Sequence, residues 1–450
     1  MTAAPTTSYR ALLEVPFLGR ALGGMQLVRV GQAMVGVALV LFSLTRYGSP
    51  AIAGLVTFAG IAPGLLVSPI GGALLDRHGR TRLIRLDLVI AVSSLLLIAV
   101  LAQLDALPAG LLVLIAAISS LTGPLGATGM RTLFPLMVPP NLWERVNAID
   151  SNGYVVATII GPPLAAVMVG AFGGPAALVV IAALLAIAVV VLFPVPEPAA
   201  EIATSGHLLR DAWDGLRYTW GNTTLRGIGL SITTLNVGGG VVSIVVPLLV
   251  LDRLHLGEAA VGLVFAVQGV VGVATGLLAG RIDTRGREVR LFAGPMIGFV
   301  PAVAVLLIPG LGPIVLSMAI MGVVNGPMDV AMFTLRQRRT DAAWMGRAFA
   351  ISMAFNFAGF PIGAAIAGWL ASTSLEAAIV VGVLASAAGT VMAWTAFRPS
   401  STAMPRNPSP AAARARTKGA CSPTPPVKTR TSRPPSAATI AAIAARSRWR

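Results

Sequence analysis

The residues best able to do chemistry are few, and they are not arranged as in an enzyme. The stretch Gly72-Ala-Leu-Leu-Asp76-Arg77-His-Gly79-Arg80-Thr-Arg82 gathers one carboxylate, three guanidinium groups and two glycines into a short segment. Asp76 can accept charge-assisted hydrogen bonds or face the positive N-terminus of another helix. Gly72 lets a neighbouring helix come close, and Gly79 permits a tight reversal. The arginines suit anionic lipid or partner carboxylates. Read alone, the same stretch is also an ordinary arginine-rich loop. A second group of polar residues lies inside long apolar runs: Arg29, Gln32, Asp150, Asn236, Gln268, Asn325, Asp329 and Asn356. There is no Gly-x-x-x-x-Gly-Lys-Ser/Thr phosphate loop, no His-Glu-x-x-His pattern and no nucleophile beside a base. With one cysteine, Cys421, and three scattered histidines, no metal site is expected, and no cofactor.

The elements that position these residues follow from composition. Of 450 residues, 56% are hydrophobic and 11% charged, and the mean hydropathy is +0.83. A soluble domain carries about 25% charged residues. Ordinary soluble enzymes, disordered chains and collagen-like chains are therefore excluded. Twelve apolar runs can be placed, at 18–44, 51–75, 83–104, 109–130, 147–172, 176–193, 225–251, 259–280, 289–308, 314–335, 348–370 and 377–397. In lipid every backbone amide needs an internal partner, so each run must be a helix.

Charge orients the runs. Of the arginines before residue 398, 19 fall in one alternating set of loops and run ends, and only Arg46 and Arg253 in the other. The positive-inside rule places the rich set and both termini in the cytoplasm. The net charge of +16 is mostly a property of the tail: 11 of the 33 basic residues and no acidic one lie from Arg398 on. That tail, 398–450, is rich in Pro, Ser, Ala and Arg and is expected to be disordered. It has no aromatic platform or folded reader, so no nucleic acid is expected as a partner. The longest internal loop, 194–224, separates six runs from six. Within it Leu209, Ala212, Trp213, Leu216 and Trp220 recur at helical spacing, with Arg210, Asp211, Asp214 and Arg217 on the other side. This reads as an amphipathic helix on the membrane surface, serving either as a tether or in regulation.

The two halves repeat each other at an offset near 200 residues. Gly123-Pro124 matches Gly326-Pro327, and Trp143-Glu-Arg145 matches Trp344-Met-Gly-Arg347. Gly161-Pro162-Pro163 matches Phe360-Pro361-Ile-Gly, and Gly72 matches Gly276. Parallel six-helix repeats suit a transporter whose halves rock about a central site. The expected fold is an all-α membrane protein of twelve transmembrane helices in two pseudo-symmetric six-helix bundles. The expected divisions are 1–193, the linker 194–224, 225–397 and the tail 398–450.

The Gly-x-x-x-Asp-Arg-x-Gly-Arg stretch resembles the signature of the major facilitator superfamily between helices two and three, and the likeness covers about residues 10–397. It implies that Asp76 latches one side by meeting the start of the eleventh helix, near Gly346-Arg347, with Gly72, Arg77, Gly79 and Arg80 completing the gate. The second-half copy, Gly280-Arg-Ile-Asp283-Thr-Arg285-Gly286-Arg287, keeps the basic residues but not the spacing. A finer resemblance is to exporters of multiple drugs, macrolides and siderophores. It rests on Gly48-Ser49-Pro50, on Arg145-Val-Asn147-Ala, and on Gly346-Arg347-Ala entering a Pro-Ile-Gly helix. The fifth run is similar to the antiporter signature at Gly161-Pro162 and Ala165-Ala166, whereas Ala148 and Ala157 stand where the family prefers glycine. Gly161, Pro162 and Pro361 are read as packing bends.

The resemblance also implies that helices 1, 4, 7 and 10 line the central cavity, which selects Gln32, Asn236 and Asn325 as substrate contacts. Glutamine cannot take up a proton. Asp329 is the deepest acid on such a helix, either a proton carrier or the partner of Arg336. Arg29 either snorkels or faces the cavity. Asp150 is read as the partner of Arg145 or Arg131. The functional expectation is proton-coupled export of small amphiphilic molecules by alternating access, with protons and the bilayer as the other partners. Metabolite uptake and a non-transporting sensor or scaffold stand as alternatives.

Overall fold

Each of the twelve apolar runs is a helix in the structure, a computed structural model that describes residues 9–139, 142–197, 208–279, 287–340 and 345–396. The spans are Leu18–Tyr47, Pro50–Ser68, Arg80–Gln103, Ala109–Phe134, Gly153–Phe172, Gly174–Leu192, Thr223–Arg253, Glu258–Ala279, Val289–Leu307, Leu311–Arg336, Ala354–Ala371 and Leu375–Ala396. The second-half loop at 280–286, Trp344 and the tail lie outside the described residues, as do the side chains of Gly72, Asp76 and Arg347.

Local chemistry sets the boundaries. At Gly48-Ser49-Pro50, Gly48 ends the first span at φ +58°, and Ser49 accepts a hydrogen bond from the Ile52 N–H at 3.4 Å. Pro50 then occupies the first turn, where its missing N–H costs nothing. Asn222 caps the seventh span by accepting from the N–H groups of Thr224 and Leu225 at 3.0 and 3.1 Å. Three spans are interrupted, which the apolar pattern does not reveal. The second divides into Pro50–Ala59 and Ala62–His78, the fourth into Ala109–Ser120 and Gly123–Met137, and the ninth at 297–298. Each interruption lies beside a proline: Pro63, Pro124, or Pro295 and Pro301. By contrast, Pro162, Pro163, Pro327 and Pro361 stand inside continuous helices.

The repeat is visible in the packing. The first span packs on the fifth and sixth as the seventh packs on the eleventh and twelfth. The third packs on the fourth and sixth as the ninth packs on the tenth and twelfth. The halves meet in two equivalent seams, fifth against eighth and eleventh against second. Small residues allow the closest approaches. Gly54 abuts the Ala364 carbonyl and Gly368, and a Cβ on Gly262 would lie 2.8 Å from Pro163 and Ala166. Both contacts lie near the arginine-poor ends of their helices. Inside the second half, Gly240 meets the Phe360 carbonyl and Gly363 meets Val237. The glycine-rich segment Gly238-Gly239-Gly240 of the seventh span is thus a helix contact.

Candidate functional site

The seams enclose a cavity of about 330 Å³. Its polar lining is Asn236, Gln268, Asn325, Thr57 and Ser243, and its rings are Phe265, Phe299 and Phe360. No charged side chain lines it among the described residues. Carboxamides offer donors and acceptors at fixed points, and phenyl faces offer dispersion, so the surface suits an uncharged or weakly polar organic solute.

The expectation about the lining is corrected in part. Spans one, seven and ten contribute, but so do two, eight, nine and eleven, and the fourth does not. The fourth instead lines a neighbouring hollow of about 280 Å³ with the first and fifth. Asn236 and Asn325 are therefore brought together, whereas Gln32 lines the second hollow with Arg29, Met130 and Tyr154. Ala33 borders both.

Beneath the cavity the second half holds a polar chain. The Asn236 amide donates to the Asn356 carbonyl at 2.7 Å. The Asn356 side-chain oxygen accepts from Arg336 Nη2 at 2.9 Å. Arg336 is fully buried, with its guanidinium 6.0 Å from the Phe333 ring centroid. Met321, Asn325 and Asp329 succeed one another at four-residue spacing, so Asp329 continues the cavity-lining stripe one turn towards the arginine-rich end. Its side chain is exposed although protein surrounds it, as for a group facing an internal cleft. Arg336 lies two turns further along the same side and is the charge that acts on it.

The first half holds a different pair. Arg29 Nη2 lies 2.7 Å from Asp150 Oδ1, and Nη1 donates to the Asp150 carbonyl. The Tyr154 ring lies 5.8 Å from the guanidinium. Arg29 therefore does not snorkel, and it pairs with Asp150 in the place expected of Arg145 or Arg131, the side chain of Arg131 lying outside the described residues. In a low-dielectric bundle two opposite charges on adjacent helices satisfy each other better than either reaching for the surface.

Two further acids escape inspection of the sequence. Asp87 is buried in the third span, its carboxylate against Gly126 and close to Thr122 at the break in the fourth span. Its signal was a lone acid about one turn into an apolar run. Glu197, just past the sixth span, accepts from the N–H groups of Arg80 and Thr81 at 2.6 and 2.8 Å and from the Thr81 hydroxyl. It caps the start of helix Arg80–Gln103. Arg80 Nε also donates to Thr132 at 3.1 Å, and Arg85 to the Phe193 carbonyl at 3.2 Å. The start of helix Arg80–Gln103 is thus bonded to the end of the sixth span and to the fourth, with Arg77 exposed. Gly79 is held at φ +92°, and a Cβ there would lie 2.9 Å from Glu197 Cδ. Gly79→Ala should lower stability by about 1–3 kcal/mol, read as thermal unfolding in detergent. An unchanged transition would show that the turn relaxes.

A family model described as Major Facilitator Superfamily matches residues 22–351 and 228–446. The chain belongs to the Major Facilitator Superfamily. As a member of it, the chain is a multi-pass membrane transporter and not an enzyme. It is 38% identical over 384 residues to the uncharacterized MFS-type transporter y4rN of Sinorhizobium fredii, covering 84% of this chain and 94% of that one. It is 25% identical over 354 residues to the multidrug efflux pump Tap of Mycolicibacterium fortuitum, covering 75% of this chain and 86% of that one. Among solved structures, the nucleoside transporter NupG superposes with a TM-score of 0.66 at 13% identity, over 85% of this chain and 98% of that one. That identity carries the superfamily fold alone.

Proposed function

We propose that this transporter exports small, amphiphilic organic molecules across a bacterial inner membrane by alternating access, drawing on the proton gradient. The observation that carries the reading is the central cavity: amide side chains and phenyl rings, with no charge among the described residues, at the meeting point of both halves. Sugars and organic ions would call for denser hydrogen bonding or a counter-charge. The likeness to an efflux pump supports the direction. Both termini face the cytoplasm, in keeping with 19 arginines against two. Tight seams at the arginine-poor end agree with a cavity approached from the cytoplasm.

In this reading Asn236 and Asn325 hold the substrate, Gln32 borders its path, and Asp329 carries the proton. Residues 1–193 and 225–397 move against each other, joined by 194–224. Asp76 and Arg347 close the cytoplasmic side, supported by Gly72, Arg77, Gly79 and Arg80, while Gly161, Pro162 and Pro361 shape the helices that pivot. Asp76→Asn should slow cycling about tenfold or more at normal expression, the scale of a lost charge-assisted contact. Full activity would reject the latch. The test of the whole is accumulation of lipophilic dyes and antibiotics in an efflux-deficient bacterium expressing the chain, with and without an uncoupler. Lower accumulation that the uncoupler abolishes is expected. Higher accumulation of any compound would indicate uptake instead.

A further inference from the structure

The linker helix Leu208–Gly221 has two faces whose uses differ. Gly215 and Thr219, one turn apart, are buried. The helix touches Ala62–His78 of the second span and also the eleventh span, so it lies beside a seam between the halves. The Trp220 ring rests on Phe355 of the eleventh span at 6.4 Å, and its carbonyl accepts from Arg226 at 3.1 Å.

The helix also exposes an unusual strip, to which the free side of Trp220 belongs. Trp213 is 64% exposed and Trp220 50% exposed. Arg210 and Arg217 are exposed as well. Both pairs are spaced by seven residues, two helical turns, so each pair lies on one line. The lines are about 60° apart, so Arg210 and Arg217 flank the indoles on one surface instead of occupying the opposite side as the sequence pattern suggests, with half-buried Asp214 beyond them. Asn222 and the seventh span follow at once, so the strip stands where hydrocarbon gives way to headgroups. Two large indoles directed into water would be unfavourable, whereas indole is favoured at the membrane interface. Guanidinium groups beside them complement phosphate. Arg77, Arg82, Arg338 and Arg339, exposed at the same end, add to the positive field.

We propose that Arg210, Trp213, Arg217 and Trp220 form a docking surface for anionic phospholipid of the adjoining leaflet. The charge complementarity favours an anionic over a zwitterionic headgroup. A lipid held there sits beside the seam between the second and eleventh spans. The inference rests on the place of this helix at the arginine-rich end and does not depend on substrate, export or proton coupling.

The test is tryptophan fluorescence of the full chain in vesicles of phosphatidylcholine and phosphatidylglycerol at one fixed ratio. Bromine, a contact quencher, is carried on the acyl chains of one lipid or the other. The W213F/W220F variant isolates the emission of the strip from that of the remaining tryptophans. Brominated phosphatidylglycerol should quench that emission at lower mole fraction than brominated phosphatidylcholine. A preference of roughly thirty-fold is expected, about fivefold per arginine. R210Q/R217Q should remove most of that preference, and an undiminished preference would overturn the proposal. Equal quenching by both lipids in the wild type, or no loss of quenching in W213F/W220F, would overturn the proposal. Neither result would bear on transport.

Discussion

Replacing Asp329 with Asn is expected to abolish concentrative efflux while leaving downhill exchange of the same dye intact. One proton moved through about 100 mV supplies ~2.3 kcal/mol, enough to hold a roughly fifty-fold gradient of a neutral solute. Asparagine has the shape of the protonated acid but cannot release a proton. The variant should therefore cycle with substrate yet sustain no gradient. The geometry supports this separation: Asp329 is one turn from Asn325 on the cavity stripe but is not itself in the lining. Arg336 can answer the change of charge and reaches Asn236 through Asn356. Loss of the proton would then be felt at a side chain that lines the cavity. The measurement is dye flux in proteoliposomes, with an imposed pH gradient and, separately, by counterflow without one. An unchanged gradient in the variant would reject Asp329 as the carrier. Loss of counterflow as well would assign it to binding or folding.

The second large effect concerns Arg29 and Asp150. Removing either partner of a buried pair leaves the other charged in a medium that solvates it poorly, at a cost of about 3–5 kcal/mol. Arg29→Leu and Asp150→Leu should each lower thermal stability in detergent by that order. The double substitution leaves no uncompensated charge and should recover more than half of the loss. Additive losses would show that the two groups act independently. Arg29 lines the smaller hollow with Gln32, so transport measured in the double variant also reports whether that hollow lies on the substrate path.

The ion pair shows why one part of the site was legible and another was not. Arg29 and Asp150 were each visible as polar residues in apolar runs, but the partners sought for Asp150 were those near it along the chain, Arg145 and Arg131, and not Arg29. The true partners are 121 positions apart. Glu197 and Arg80 are 117 apart, and nothing near Glu197 marked it as a helix cap for another segment. The same applies to Asp87, which meets Gly126 only because the third and fourth spans pack together. Asn236 and Asn325 do line one cavity, as the family resemblance implied for the seventh and tenth helices.

Sequence alone determined the twelve helices, the break between the first two at Gly48-Ser49-Pro50, the six-helix repeat, the membrane setting and the amphipathic linker. These are local or additive properties. A backbone in lipid must bond to itself, hydropathy is summed residue by residue, and a cap acts within one turn. Tertiary structure alone decided the partner of Arg29, the anchoring of Gly79 and Arg80 by Glu197, the division of Gln32 from Asn236 and Asn325, and the link from Arg336 to the cavity. Each of these depends on which faces of distant helices meet. Close packing of glycine and alanine seams sets that meeting, whereas the hydropathy of a wholly buried helix carries little trace of which face is which.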